Sequence, residues 1–308
     1  MVIIKWQYSF KIAKLVDNDL NWIGNDTTVI QMGDQLDNFR PCNTMTSEEH
    51  VTNYKIPEDI MVLDFFNDMH KKAVKAGGKV ISLLGNHEIL NVMGEFMYVL
   101  KSDLDKFKNI PGYENHKTGE DARKTAFKQG NEYAKKLACS RISAIIIGSY
   151  LFVHAGVVPK FIKDIKLKDR NDLHAINIIM RKWLLGLIDN NKLIQILTTA
   201  PSSLFWDRIL GSLPPNLDKN DPRCEKNLNQ ALKILNINGI IVAHCPQMFV
   251  NKTGINSTCD GGIWRVDVGT PYAFNTFDSD YLQSGKPSHL RKVQVLEILD
   301  DKITNILK

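Results

Sequence analysis

Two carboxylates stand three residues apart at the end of an apolar run: Val29-Ile30-Gln31-Met32 leads into Gly33-Asp34-Gln35-Leu36-Asp37. Three other apolar runs end in the same manner. The run at 80–84 terminates in Gly85-Asn86-His87-Glu88, the run at 151–153 in His154-Ala155-Gly156, and the run at 240–242 in Ala243-His244-Cys245. Each end offers an oxygen or an imidazole, and ligands of α/β sheets collect at the carboxyl edge of the strands. A lone histidine after a strand is more often a hydrogen-bonded structural residue, and Gly-Asp is commonly only a turn. Four such ends in one chain point instead to a metal site. Asp34, Asn86, His154 and His244 form an O/N donor set suited to Mn, Fe or Zn, and a carboxylate can bridge two ions.

The elements that must position these residues are short Ile- and Val-rich runs at 28–32, 80–84, 142–147, 151–153, 240–242, 263–268 and 293–299. Their length and composition predict strands. Helical periodicity occupies 60–75, with apolar Ile60, Leu63, Phe66, Met69 and Val74, and 171–185, with Leu173, Ile176, Ile179, Trp183 and Leu184. Strands mixed with helices predict an α/β sandwich flanked by helices. Residues 94–140 and 160–235 read as helical, Lys-rich insertions, and 218–221 and 251–260 as surface loops. One domain spanning 1–308 is expected. The apolar stretch 142–158 carries Gly148, Ser149 and His154 in its middle, so it reads as two strands around a turn rather than a membrane span.

A chain of 308 residues with 44% hydrophobic and 24% charged side chains can bury a full core and excludes a disordered or fibrous class. The net charge of +5 lies mostly on scattered Lys, which argues against a nucleic-acid partner. Five cysteines at 42, 139, 224, 245 and 259, without a Cys-x-x-Cys pair, suggest neither a disulfide framework nor a zinc ribbon. A reducing, cytoplasmic compartment with no membrane contact is the expectation, and no signal peptide is visible at the N-terminus. His50, His70, His116, His174 and His289 match no motif and are expected at the surface.

In order and spacing, Gly33-Asp34-Gln35-Leu36-Asp37, Gly85-Asn86-His87-Glu88, His154-Ala155-Gly156 and His244 resemble the motifs of calcineurin-like metallophosphatases of the phosphoprotein-phosphatase branch. The segments 86–94, 152–157, Trp206-Asp207-Arg208, His244-Cys245-Pro246-Gln247 and Asp267-Val268-Gly269 are similar to Shewanella-like phosphatases over almost the whole chain. The resemblance implies a calcineurin-like β-sandwich and a two-metal hydrolysis in which a metal-held water attacks phosphorus in line. It further implies that Asp34 is the bridging ligand, with Asn86, His154 and His244 completing one metal position. His87 would protonate the leaving alkoxide and Asp37 would orient it. Arg208 would grip the phosphate as a bidentate fork. Cys245 would be a small side chain where the family has Thr, not a nucleophile.

The family also begins with a strand ending in Gly-Asp-x-His-Gly, whose Asp and His hold the other metal. Here 2–16 reads as the helix that follows that strand, and no Asp-x-His precedes it, so the sequence is expected to begin after the strand, with the motif encoded upstream. Asn38 stands where the family has a phosphate-binding Arg, and Arg40 is the substitute two residues on. One metal rather than two is then expected, with an exposed sheet edge. The expected activity is metal-dependent hydrolysis of a phosphomonoester, either a Ser/Thr phosphoprotein or a small molecule. The alternatives are a truncated pseudophosphatase that binds metal or a phosphorylated partner with little turnover, and diphosphatase or phosphodiesterase chemistry.

Overall fold

The computed structural model describes residues 2–41 and 53–308, so Cys42 and His50 lie outside the described residues. Ten strands are β1 (Thr28–Gln31), β2 (Lys79–Leu83), β3 (Arg141–Ile142), β4 (Ala144–Ile147), β5 (Tyr150–Val153), β6 (Gly239–Val242), β7 (Asn256–Thr258), β8 (Ile263–Arg265), β9 (Val295–Leu299) and β10 (Lys302–Leu307). They form a parallel sheet β1-β2-β3, a mixed sheet β4-β5-β6-β8-β7 and an antiparallel hairpin β9-β10.

Side chains alternate across a strand, and that period sorts the core into two layers. Leu151, Val153, Ile240 and Val242 face a large cluster shared with the insertion helices, including Phe107, Phe127, Leu137 and Trp183. Phe152 and Ile241 face the opposite way, into an inner layer with Met32, Leu83 and Ala243. A third cluster packs the helix Val2–Ile12 on the helix Glu58–Lys75, with Phe10 edge-on to Phe65 at 5.5 Å. Residues 94–140 and 160–235 are largely helical. Within 94–140 lie Lys101–Lys106, Gly119–Phe127 and Glu132–Ser140, and within 160–235 the longest helix is Arg170–Leu184.

Four sequence readings are corrected. The run at 142–147 is not one strand: the chain changes sheets at Ser143, where the Ser143 and Ala144 N–H groups donate to Asn177 Oδ1 at 2.7 and 3.2 Å. The segment 251–260 is not only a surface loop, since it contains β7. The helix near the start ends at Ile12, and a bridge between Val16 and Trp22 follows it. Finally, Cys224 and Cys259 form a disulfide, with Cα atoms 5.7 Å apart, tying the helix Pro222–Asn227 to the end of β7. Their 35-residue separation is a product of the fold and leaves no local pattern to read.

β1 has β2 on one side and, among the described residues, no strand on the other; β9 pairs with β10 alone. Both edges line a cavity of about 1370 Å³ whose apolar floor includes Ile30, Phe152, Ile241, Val266, Leu296 and Ile298. No described helix is long and apolar enough to cross a membrane. His70, His174 and His289 are exposed, and His116 is half-buried beside Tyr113.

Candidate active site

The cavity's polar end is built by the loops that leave β1, β2, β5 and β6. Gly33 has φ +91°, and a Cβ there would lie 2.7 Å from the Gly85 nitrogen and 2.8 Å from His154 Nδ1. A Cβ on Gly85 would collide with Asp34 Oδ1. Only glycine lets these two loops close on each other. Asp34, Asp37 and His244 themselves hold φ of 57°, 67° and 61°, left-handed conformations that cost non-glycine residues energy and recur at functional sites.

Glu88 locks the two loops together. Its buried carboxylate accepts the N–H groups of Gly85 (2.7 Å), Asp34 (2.9 Å), Gln35 (2.7 Å) and Leu36 (3.0 Å). Burial, with the Asp34 charge, raises the Glu88 carboxyl above its ordinary value despite these bonds. The sequence motif contained Glu88 without giving it a role. Its position one turn into the helix Asn86–Met93, reaching back to the Gly85 N–H, is the helix-start signal that marks it.

Asp34, His154 and His244 bring one ligand atom each to within 4.8 Å of one another. His154 Nδ1 donates to the Met32 carbonyl at 2.6 Å, and its Nε2 lies 3.3 Å from Asp34 Oδ2 and 3.1 Å from Asn86 Oδ1. His244 Nε2 is buried and has no hydrogen-bond partner. Burial and the neighbouring His154 charge push His244 down to about 2, which makes it a neutral imidazole. Burial opposes ionisation of both Asp34 and His154, yet their mutual attraction and hydrogen bond hold Asp34 low and His154 high. Lone pairs converging with an orphaned nitrogen in a field that favours positive charge are what a divalent cation requires, and these residues fit one.

His87 lies on the flank of this cluster. Its Nδ1 donates to Asp37 Oδ2 at 2.7 Å, and its Nε2 turns toward Asp34 Oδ2 at 3.9 Å. Tyr98 stands edge-on to the His87 ring at 4.8 Å, and Arg40 stacks over both Tyr98 (5.4 Å) and Phe274 (5.1 Å). Arg208 is exposed on the cavity rim, with Nη1 3.9 Å from Cys245 Sγ. Asn38 lines the cavity, but its side chain is committed elsewhere: Nδ2 donates to Asp103 Oδ2 and Oδ1 accepts the Leu100 N–H, which anchors the segment at 100–103. The Cys245 thiol is buried and raised to about 11 by that burial, which keeps it protonated and unreactive.

Asp207 is buried at 1% exposure, and its carboxylate accepts the Leu210 N–H at 3.2 Å. Burial raises it to about 6. A folded value above the unfolded one, about 3.9, means its contribution is fully present below pH 4 and is lost as pH rises through 6. The deficit above pH 7 is about 3 kcal/mol. Asp207→Asn keeps an oxygen acceptor without the charge, so thermal melts should show the variant more stable than wild type at pH 8, with the gap closing toward pH 4. A gap independent of pH would show that ionisation is not its cause.

A family model for calcineurin-like phosphoesterases matches residues 9–248. An uncharacterized protein of Acanthamoeba polyphaga mimivirus is 39% identical over 256 residues, covering 79% of this chain and 97% of that protein. Shewanella-like protein phosphatase 2 of Arabidopsis thaliana is 25% identical over 299 residues, 86% of this chain and 68% of that protein. Among solved structures, the cold-active protein-tyrosine phosphatase of a psychrophilic Shewanella superposes with a TM-score of 0.59 at 19% identity, over 97% of this chain and 75% of that one. Against another structure of a cold-active protein tyrosine phosphatase, with TM-score 0.56 and 19% identity over 85% of this chain, the chain spans 64% of the neighbour's length. At such identity the structural likeness is one of fold. With more than half of its length matched by the family model, the chain belongs to the calcineurin-like phosphoesterase family, and its relatives include the Shewanella-like protein phosphatases.

Proposed function

We propose that the chain is a metal-dependent phosphatase that hydrolyses phosphomonoesters, above all those of Ser/Thr phosphoproteins. The observation that carries this reading is the buried Asp37–His87 bond of 2.7 Å beside the Asp34–His154–His244 cluster. When bound there, Mn, Fe or Zn supplies charge that polarises the phosphoryl group and ionises a water near neutral pH. The chain's own residues do the remainder. His87 Nε2 hands a proton to the departing oxygen, and Asp37 holds the ring so that Nε2 faces the cavity. Arg40 and Arg208 place positive charge on the cavity wall for the phosphate oxygens. A proton donor of this kind has most to offer an alkoxide leaving group, which supports phosphoserine or phosphothreonine over a phenolic ester.

Asp34, Asn86, His154 and His244 make one ligand set, and among the described residues one His/Cys/Asp/Glu cluster meets metal-ligand spacing. After dialysis and elemental analysis the purified chain should therefore retain about one divalent ion. Two tightly held ions would overturn the one-metal reading, and none would overturn the ligand assignment. The single cluster also motivates a second reading, a metal-binding pseudophosphatase. Absence of turnover on phosphopeptides and nitrophenyl phosphate by the metal-loaded chain would favour it.

A further inference from the structure

We propose that Arg123, carried by the first insertion on the helix Gly119–Phe127, is the positioning residue of the Asp37–His87 pair. It would act through Asp59 and Asn91 to fix the orientation in which His87 presents Nε2 to the cavity. The inference rests on the phosphatase reading for its kinetic test and on geometry alone for its structural one.

Arg123 is fully buried. Phe127, Phe107 and Phe96 surround its guanidinium carbon at 5.2, 5.7 and 5.8 Å. A buried guanidinium must find acceptors for its fork. Nη2 and Nη1 donate to the two oxygens of Asp59 at 2.6 and 3.3 Å, Nε donates to Asn91 Oδ1 at 2.7 Å, and Nη2 lies 3.5 Å from Asp37 Oδ1. Each partner then grips the catalytic pair. The Asp37 N–H donates to Asp59 Oδ2 at 3.2 Å. Asn91 Nδ2 donates to Asp37 Oδ1 at 2.7 Å and to the His87 carbonyl at 2.9 Å.

The decisive detail is the Asn91 amide. Its oxygen and nitrogen are interchangeable in shape, and the Arg123 Nε–H, which can donate and never accept, acts with the acceptor-only Asp37 carboxylate and His87 carbonyl to set the oxygen toward Arg123 and the NH₂ toward Asp37. Were the amide to turn over, it would set an oxygen against the Asp37 carboxylate. Asp37 also holds a left-handed φ of 67°, and the Asp59 bond to its N–H pins that backbone. With Oδ1 and N–H both secured, Oδ2 is the atom left for His87 Nδ1. Lysine cannot replace this fork, because one ammonium cannot reach Asp59 and Asn91 with the same geometry.

The test compares Arg123→Lys and Arg123→Met with wild type, each in the His87 and the His87→Asn backgrounds. Turnover by the metal-loaded chains is measured on a phosphoserine peptide and on nitrophenyl phosphate. Misplacing the pair should lower kcat on the peptide about 10–100-fold, with KM little changed and a several-fold smaller loss on nitrophenyl phosphate. In the His87→Asn background the same substitutions should add almost nothing, since the residue they act through is gone. Equal losses on both substrates, or losses that multiply with His87→Asn, would assign Arg123 to packing alone and overturn the proposal.

If Arg123→Met fails to fold, Arg123→Lys carries the comparison. Ring ¹⁵N and Nδ1–H signals of His87 in the metal-free chains give a second readout. Wild type should show one slowly exchanging Nδ1–H, and Arg123→Lys should lose it. An unchanged signal in the variant would overturn the proposal even if wild type turned over neither substrate, an outcome that would count against the phosphatase reading only.

Discussion

Replacing His87 by Asn should slow hydrolysis of phosphoserine by about 10²–10⁴-fold, the usual worth of general acid catalysis, and hydrolysis of nitrophenyl phosphate far less. The difference follows from the leaving groups. A serine alkoxide is a strong base that must be protonated as it departs, whereas nitrophenolate leaves as a stable anion. His87 is placed for that proton: Nδ1 is spent on Asp37 at 2.7 Å, and Nε2 opens toward the cavity beside Asp34. Asn at this position keeps the backbone N–H that donates to Asp34 Oδ1 at 3.1 Å, so the loop geometry is preserved while the proton is removed. The measurement is kcat on the two substrates at saturating metal. Equal losses would mean that His87 serves the loop or the metal instead.

Much of this arrangement could be read in advance, for a physical reason. Strands that end at a ligand site change abruptly from Ile and Val to Gly, Asp, Asn or His, and the four ends at Asp34, Asn86, His154 and His244 do meet at one end of one cavity. Local composition cannot report partnerships between distant parts of the chain. Arg123 finds Asp59 across 64 residues and Asn91 across 32, and nothing in the helix Gly119–Phe127 marks Arg123, rather than Lys124, as buried. The same holds for Cys224 with Cys259, and for Asn38, whose amide is claimed by Asp103. At Ser143 a single small polar residue is the only local mark of the point where the chain passes between sheets. The signal for the break sits on Asn177, in another helix. The strand Asn256–Thr258 escaped because it is three residues long and opens on Asn, which is depleted in strands, and its pairing with Ile263–Arg265 defines it.

Asp34→Asn should abolish retention of metal and turnover of both substrates together. The substitution isolates one property. Asp34 occupies a left-handed φ of 57°, which Asn adopts as readily as Asp, and an amide oxygen can still accept the His87 N–H. What disappears is the negative charge at Oδ2, the one carboxylate in the three-residue cluster. Two imidazoles and neutral amides form a much weaker site for a divalent ion than the same set with a carboxylate. An ion that binds only the folded state stabilises it, by about 2.7 kcal/mol when present at 100 times its Kd. Added Mn should therefore raise the melting temperature of the metal-stripped wild type and leave that of the metal-stripped variant unchanged. A variant that keeps its metal after dialysis and melts higher when Mn is added would remove Asp34 from the ligand set, and with it the proposal that this cluster is the catalytic centre.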